Sequence, residues 1–200
     1  LTFASPYYDT YDETNLHFTE NAVQYRYAKM IAKGEGIPET DTRIQHPEGV
    51  RVAEELTITL ERVSGWLYRI LAQISIGPPF HTYSVYFIAF FSSLAVFPLY
   101  LGASRLWGGW LSGHLAVAFY AVMPPAWLRT ITSFSREDFT LTFLFTGLVC
   151  FGLSLGERRE RWMPWAAGFA FSIAAISWHI TNFVLAILFL YAVVTYLTAK

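Results

Sequence analysis

The sequence predicts an all-α fold: a polytopic bundle of membrane helices preceded by a helical loop region outside the bilayer. Three observations carry that expectation. Of 200 residues, 54% are hydrophobic and only 14% charged, against about 25% charged in an ordinary soluble domain. The charge is segregated, with residues 1–81 holding 7 of the 14 Lys and Arg and 11 of the 15 Asp and Glu. The rest of the chain is five uncharged apolar runs separated by short polar stretches.

This distribution excludes a disordered chain and argues against a soluble enzyme. The formal net charge of −1 offers no field for a polyanion, so no nucleic-acid partner is expected. The single cysteine, Cys150, rules out an intramolecular disulfide framework and a cysteine-rich metal site. The chain opens at Leu1, shows no signal peptide, and is expected to be a fragment preceded by further residues.

Residues 1–81 form the first expected region, extracytoplasmic and helical. Residues 1–18, rich in Tyr, Asp and Thr, read as irregular. Thr19 is a candidate N-cap for a helix to about Lys33, stopped by Gly34. Glu35 to Gly49 reads as a loop, punctuated by Pro38, Pro47 and Gly49. From Val50 to Ile76 the apolar residues Val52, Leu56, Leu60, Val63, Leu67, Ile70 and Ile74 recur at steps of three and four. Arg51, Glu54, Glu55, Glu61, Arg62 and Arg69 are expected on the opposite face. Such a helix lies on the bilayer interface or packs on the ends of the spans.

Residues 82–200 form the membrane bundle, with spans at about 82–104, 108–128, 139–156, 162–178 and 180–199, each near the length needed to cross roughly 30 Å of hydrocarbon. Lipid leaves backbone groups no outside partner, so these are helices. Pro98, Pro124 and Pro125 mark kinks or span ends. Ser177, His179, Thr181 and Asn182 break the last two spans with a tight turn, the alternative being one bent span. Arg105, Arg158, Arg159, Arg161 and Lys200 fall on one face; only Arg129 and Arg136 occupy the other short loops. The positive-inside rule puts the first set in the cytoplasm, and residues 1–81, loop 129–138 and the His179 turn on the outer side. The chain is expected as an integral protein of a prokaryotic cell membrane or of the endoplasmic reticulum membrane.

Two acidic clusters fall on that outer side: Asp9, Asp12, Glu13 and Glu20, then Glu137 and Asp138 at the mouth of the third span. Acids at a span end that face a bundle cavity need a partner and are functional candidates. Oxygen donors from separate segments suit Mg²⁺ or Mn²⁺, and such an ion can neutralise a departing lipid-linked phosphate. The plainer readings are a solvated loop for Asp9, Asp12 and Glu13, and helix-dipole stabilisation for Glu20, Glu137 and Asp138. His46 reads as a turn residue, His81 and His114 as structural, and most tryptophans as an interfacial belt.

The run Glu20-Asn21-Ala22-Val23-Gln24-Tyr25-Arg26-Tyr27-Ala28, then Gly34, Ile37-Pro38, Asp41 and His46-Pro47-Glu48-Gly49, resembles the first outer loop of the oligosaccharyltransferase catalytic subunit and its archaeal and bacterial relatives, of the GT-C glycosyltransferase class. Arg129-Thr130 through Ser133-Phe134-Ser135-Arg136-Glu137-Asp138 is similar to that family's second acidic motif, although Arg136 stands where the first acid usually does. The family usually has Asp at the place of Glu20. The resemblance spans roughly residues 18–182. It implies transfer of a sugar or oligosaccharide from a polyprenyl-phosphate or -diphosphate donor to a protein or glycan acceptor, asparagine included. It further implies Glu20 and Asp138 as catalytic residues, Glu20, Glu137 and Asp138 as ligands of a divalent Mg²⁺ or Mn²⁺, and Arg129, His179 and Trp178 as substrate contacts. The two carboxylate groups would then face one outer cavity. The competing classes are a membrane transporter and a non-catalytic membrane scaffold.

Overall fold

The computed structural model describes residues 20–44, 46–74, 78–123, 133–156 and 160–198, and the fold is nearly all-α. The chain divides into two compact units, Leu1–Phe90 with Met123–Ser135, and Phe91–Val122 with Arg136–Lys200.

In the first unit α1 (Glu20–Ala32) ends where the sequence places its stop. Gly34 takes φ +80°, its N–H reaches the Ile31 carbonyl, and the Glu35 N–H reaches the Met30 carbonyl. This paired closure of the last turn requires a left-handed residue, which glycine supplies without steric cost. The following loop closes through a short antiparallel ladder, β1 (Thr40–Asp41) with β2 (Val50–Arg51). The expected continuous helix after Val50 is instead two helices, α2 (Val52–Glu55) and α3 (Thr59–Gln73). Leu56 between them is extended, at φ −117° and ψ 141°. Burial decides the break, since Val52 and Ile58 pack on Tyr27 of α1 with Leu56 beside them.

α3 packs on α1 through a face that shares only Leu60 with the apolar repeat. Leu60, Glu61, Ser64 and Gly65 are its buried residues. A Cβ at Gly65 would stand 2.6 Å from the Ala28 carbonyl oxygen and 2.8 Å from Ile31 Cβ, so only glycine allows this approach. Glu61, expected on the polar face, is fully buried, while Val63 and Leu67 are exposed. The small Ser64 and Gly65 set the inward face beside Leu60, and Val63, Leu67 and Ile74 of the apolar stripe are left outside.

Three helices are long and apolar enough to cross a membrane, among the described residues. The first is the 27-residue stretch Phe80–Leu106, which comprises α4 (Phe80–Leu94) and α5 (Val96–Leu106). Their joint is Ala95, three residues before Pro98. Proline has no N–H for the carbonyl four residues back and crowds it, so the helix breaks there. Ala95 N–H turns to the Ser92 carbonyl instead of that of Phe91, and the Thr142 hydroxyl donates to the Phe91 carbonyl at 2.5 Å. A neighbouring hydroxyl thus takes over where the ladder was interrupted.

α6 (Trp110–Val122) follows Gly108 and Gly109, both at positive φ. α7 (Arg136–Ser154), α8 (Met163–Ser177) and α9 (Ile180–Thr198) complete the second unit. α7 and α9 are the other two long apolar helices. α6 and α8 fall short of the spans expected at 108–128 and 162–178, with 13 and 15 residues. The glycine pair delays the first, and Pro164 sets the N-terminus of the second. Pro124 and Pro125 lie outside the described residues. Only Trp178 and His179 separate α8 from α9, and Val184, Leu185 and Leu188 of α9 pack back on the cluster of Leu144, Cys150, Ala167, Phe171 and Ala174, as a tight turn requires. Gly147 of α7 meets the Phe171 ring of α8, 2.6 Å from where its Cβ would be.

Candidate functional site

Glu20 opens α1 with its side chain exposed. One turn on, Gln24 is 1% exposed and its Nε2 donates to Glu20 Oε1 at 3.4 Å. The helix N-terminus favours a carboxylate there, so both the dipole reading and the functional reading of Glu20 agree with its place. Gln24 Oε1 is buried without a hydrogen-bond partner.

Behind Glu20 the helix is fixed by one buried acid. Asp41, 4% exposed, accepts from the Tyr27 hydroxyl at 2.7 Å and from the Arg43 N–H at 3.0 Å. It also forms an ion pair with Arg26. Three donors meet its two oxygens and tie the middle of α1 to β1. Tyr25, between Gln24 and Arg26, is buried against Phe80 (5.3 Å between ring centroids) and edge-on to Phe134 (6.4 Å), and Lys29 Nζ lies 5.9 Å from its ring centre. The Tyr-Arg pair thus serves the fold, with tyrosine seating the helix on aromatic side chains and arginine pairing with the loop acid. Asp41 was quoted in the sequence pattern without a role. Its signal would have been an acid in a Pro- and Gly-punctuated loop facing a helix that carries both Tyr and Arg.

In the second unit the acids at the mouth of the third expected span lie inside a helix. α7 begins at Arg136, three residues before Phe139, so Glu137 and Asp138 are in its first turn. Arg136 is 5% and Asp138 3% exposed. Full burial of ionised groups costs several kcal/mol each unless they are engaged, and none of the three is without partners. Thr140, a little further along the helix, is fully buried with an unpartnered hydroxyl.

Of the expected substrate contacts, Trp178 is half-buried on the α7–α8 core, while its N–H closes α8 on the Ala174 carbonyl. His179 is exposed in the turn. Arg129 lies outside the described residues, as do Asp9, Asp12 and Glu13.

Among the described residues, no three His, Cys, Asp or Glu side chains gather as metal ligands would. The α7 pair offers two carboxylates beside the buried Arg136, whose fixed positive charge opposes a dication. The α7 head by itself therefore does not supply the donor set of a bound Mg²⁺ or Mn²⁺.

A family model, Dpy19, described as Q-cell neuroblast polarisation, matches residues 13–199. The chain belongs to the Dpy19 family. No curated protein and no solved structure gives a significant match. Dpy19 membership makes the chain a membrane glycosyltransferase-like protein of the GT-C type. It narrows the expected oligosaccharyltransferase assignment to the GT-C class, since the match is to Dpy19 and not to an oligosaccharyltransferase specifically. With its long apolar helices, this Dpy19 chain is an integral membrane protein.

Proposed function

We propose that the chain acts in C-mannosyl transfer, moving one sugar from a polyprenyl-phosphate donor to a carbon atom of a protein acceptor. The observation that carries this reading is the Dpy19 match, a C-mannosyltransferase family. A protein carbon that attacks a sugar must be electron-rich, and the indole ring is the strongest carbon nucleophile among uncharged side chains. The new bond joins a ring carbon to the sugar's anomeric carbon. The anomeric carbon–oxygen bond breaks, its electron pair leaves with the lipid phosphate, and the ring proton is then lost to a base.

Glu20 is the proposed base. Its side chain is exposed at the head of α1, and Gln24 orients it by holding one oxygen. Arg136 and Arg129 are the proposed counter-charges for the departing phosphate, with Asp138 fixing the Arg136 region and His179 and Trp178 touching substrate. The positive-inside distribution supports a non-cytoplasmic position for residues 1–81.

The test is Glu20→Gln in the full-length protein, assayed with a polyprenyl-phosphate mannose donor and a tryptophan-containing peptide. Transfer falls by about two to four orders of magnitude, the usual worth of a general base, while the melting temperature is kept. Unchanged transfer removes Glu20 from the chemistry.

A further inference from the structure

The exposed surface of α3 has a composition that neither its packing nor the transfer reaction uses. Its exposed residues include Arg62, Val63, Trp66, Leu67, Arg69 and Gln73, and Ile74 caps it, also exposed. Trp66 is 63% and Ile74 57% open, large values for such side chains in one short helix. At 3.6 residues per turn, Trp66, Ile70, Val63, Ile74 and Leu67 fall within a sector of about 100°. Arg62, Gln73 and Arg69 border that sector on one edge. The remaining face, Leu60, Ser64, Tyr68, Glu61 and Gly65, is turned to protein. The helix therefore carries three successive sectors, one for protein, one basic and one apolar, and its only acid, Glu61, is buried.

The protein sector fixes how the other two are presented. Tyr68 donates to the Pro78 carbonyl at 3.1 Å, and Tyr83 of α4 donates to the Ser64 carbonyl at 3.0 Å. The Tyr68 ring stands 5.0 Å from both the Phe80 and Tyr83 rings. α3 is thus seated against the first turns of α4, which begins the longest membrane-crossing stretch. The apolar sector is thus carried by a helix bonded to the entry of a candidate span. Its basic edge complements lipid phosphates, and tryptophan is the residue enriched at that depth.

We propose that α3 is a membrane-interface helix, with Val63, Trp66, Leu67, Ile70 and Ile74 sunk among the acyl chains and Arg62 and Arg69 on the headgroup phosphates. Lipid is preferred to a protein partner because both exposed charges are positive and sit on one edge of the apolar sector, the order an interfacial helix needs. Burial under protein would leave Arg62 and Arg69 no matching acid on α3.

The test uses the full-length protein with Cys150→Ala, reconstituted in nanodiscs of phosphatidylcholine and phosphatidylglycerol. A polarity-sensitive fluorophore is attached at Leu67→Cys, with Val63→Cys as a second site and Glu54→Cys as the solvent-exposed control of the same unit. Lipids brominated near the headgroup end of the acyl chain should quench the labels at 67 and 63 about two-fold more than the label at 54, with aqueous iodide giving the reverse order. Arg62→Gln with Arg69→Gln should reduce the lipid quenching at both sites. Strong iodide quenching at 67 and 63 would overturn the proposal in favour of a solvated face. Quenching by neither agent would overturn it in favour of a protein cover. Neither outcome depends on whether the chain transfers a sugar.

Discussion

The α1–α3 pair and the α7–α8 pair meet by the same device in different chemical settings. Each places a glycine at the crossing, Gly65 against the Ala28 carbonyl and Gly147 against the Phe171 ring. Each turns large apolar residues outward, Trp66 and Leu67 in one, Trp165 and Phe169 in the other. Beside the first crossing, long-range polar bonds through Asp41 hold α1 to β1. Around the second the core is a cluster of Leu144, Cys150, Ala167, Phe171 and Ala174. Small residues facing inward and large ones outward is the order of helices that pack without a hydrophobic drive between them. The amphipathic α3 shares it at Ser64 and Gly65, where small size lets α1 approach.

Asp41→Ala should separate the two pairs most sharply. It strands the Tyr27 hydroxyl and Arg26 while leaving the α7–α8 core alone, at a cost of about 3 kcal/mol after allowing for the partly exposed arginine. Protease nicking of the 34–51 loop, with the second unit still protected, would check it; unchanged resistance would mean that the ion pair is idle. Gly65→Leu comes next, at about 2 kcal/mol, because its nearest neighbour is a backbone oxygen that cannot step aside. Thermal melting in detergent would measure it, and a loss no larger than that of an exposed substitution such as Gln73→Leu would refute the close approach. Gly147→Ala should cost less, about 1 kcal/mol, since the Phe171 ring can turn. Adding Phe171→Leu should recover most of that loss, and failure to recover would place the strain elsewhere. The smallest effect is expected from chelation: sugar transfer in excess EDTA should stay within about two-fold of the untreated rate, the outcome that follows from the proposed pairing of Arg136 and Arg129 with the departing phosphate. Abolished transfer, restored by Mn²⁺, would reinstate the metal.

Much of the helical layout was legible from local pattern. Gly34 ended α1 as written, and the uncharged runs became the apolar helices. What failed was whatever depends on partners. Periodicity marked an apolar stripe on α3 but could not say which side meets protein, and the answer came from Ser64 and Gly65, whose signal is small size. Asp41 took its meaning from Tyr27, 14 residues earlier. α7 began early because Arg136 and Asp138, which composition alone assigned to an aqueous loop, are buried at its head. The candidate site was legible mainly through resemblance, since a Glu after Thr19 and two acids before an apolar run also describe ordinary helix starts.

The bond from Thr142 to the Phe91 carbonyl makes the joint at Ala95 a shared property of two helices. Thr142 lies one turn beyond Asp138 on α7, so the hydroxyl that completes the interrupted backbone of one span also fixes the height and rotation of the helix bearing Arg136 and Asp138. Valine at 142 would keep the shape and lose the donor, leaving the carbonyl dry; serine would keep the donor. The joint at Ala95 and the charged helix head are in that sense a single adjustable unit.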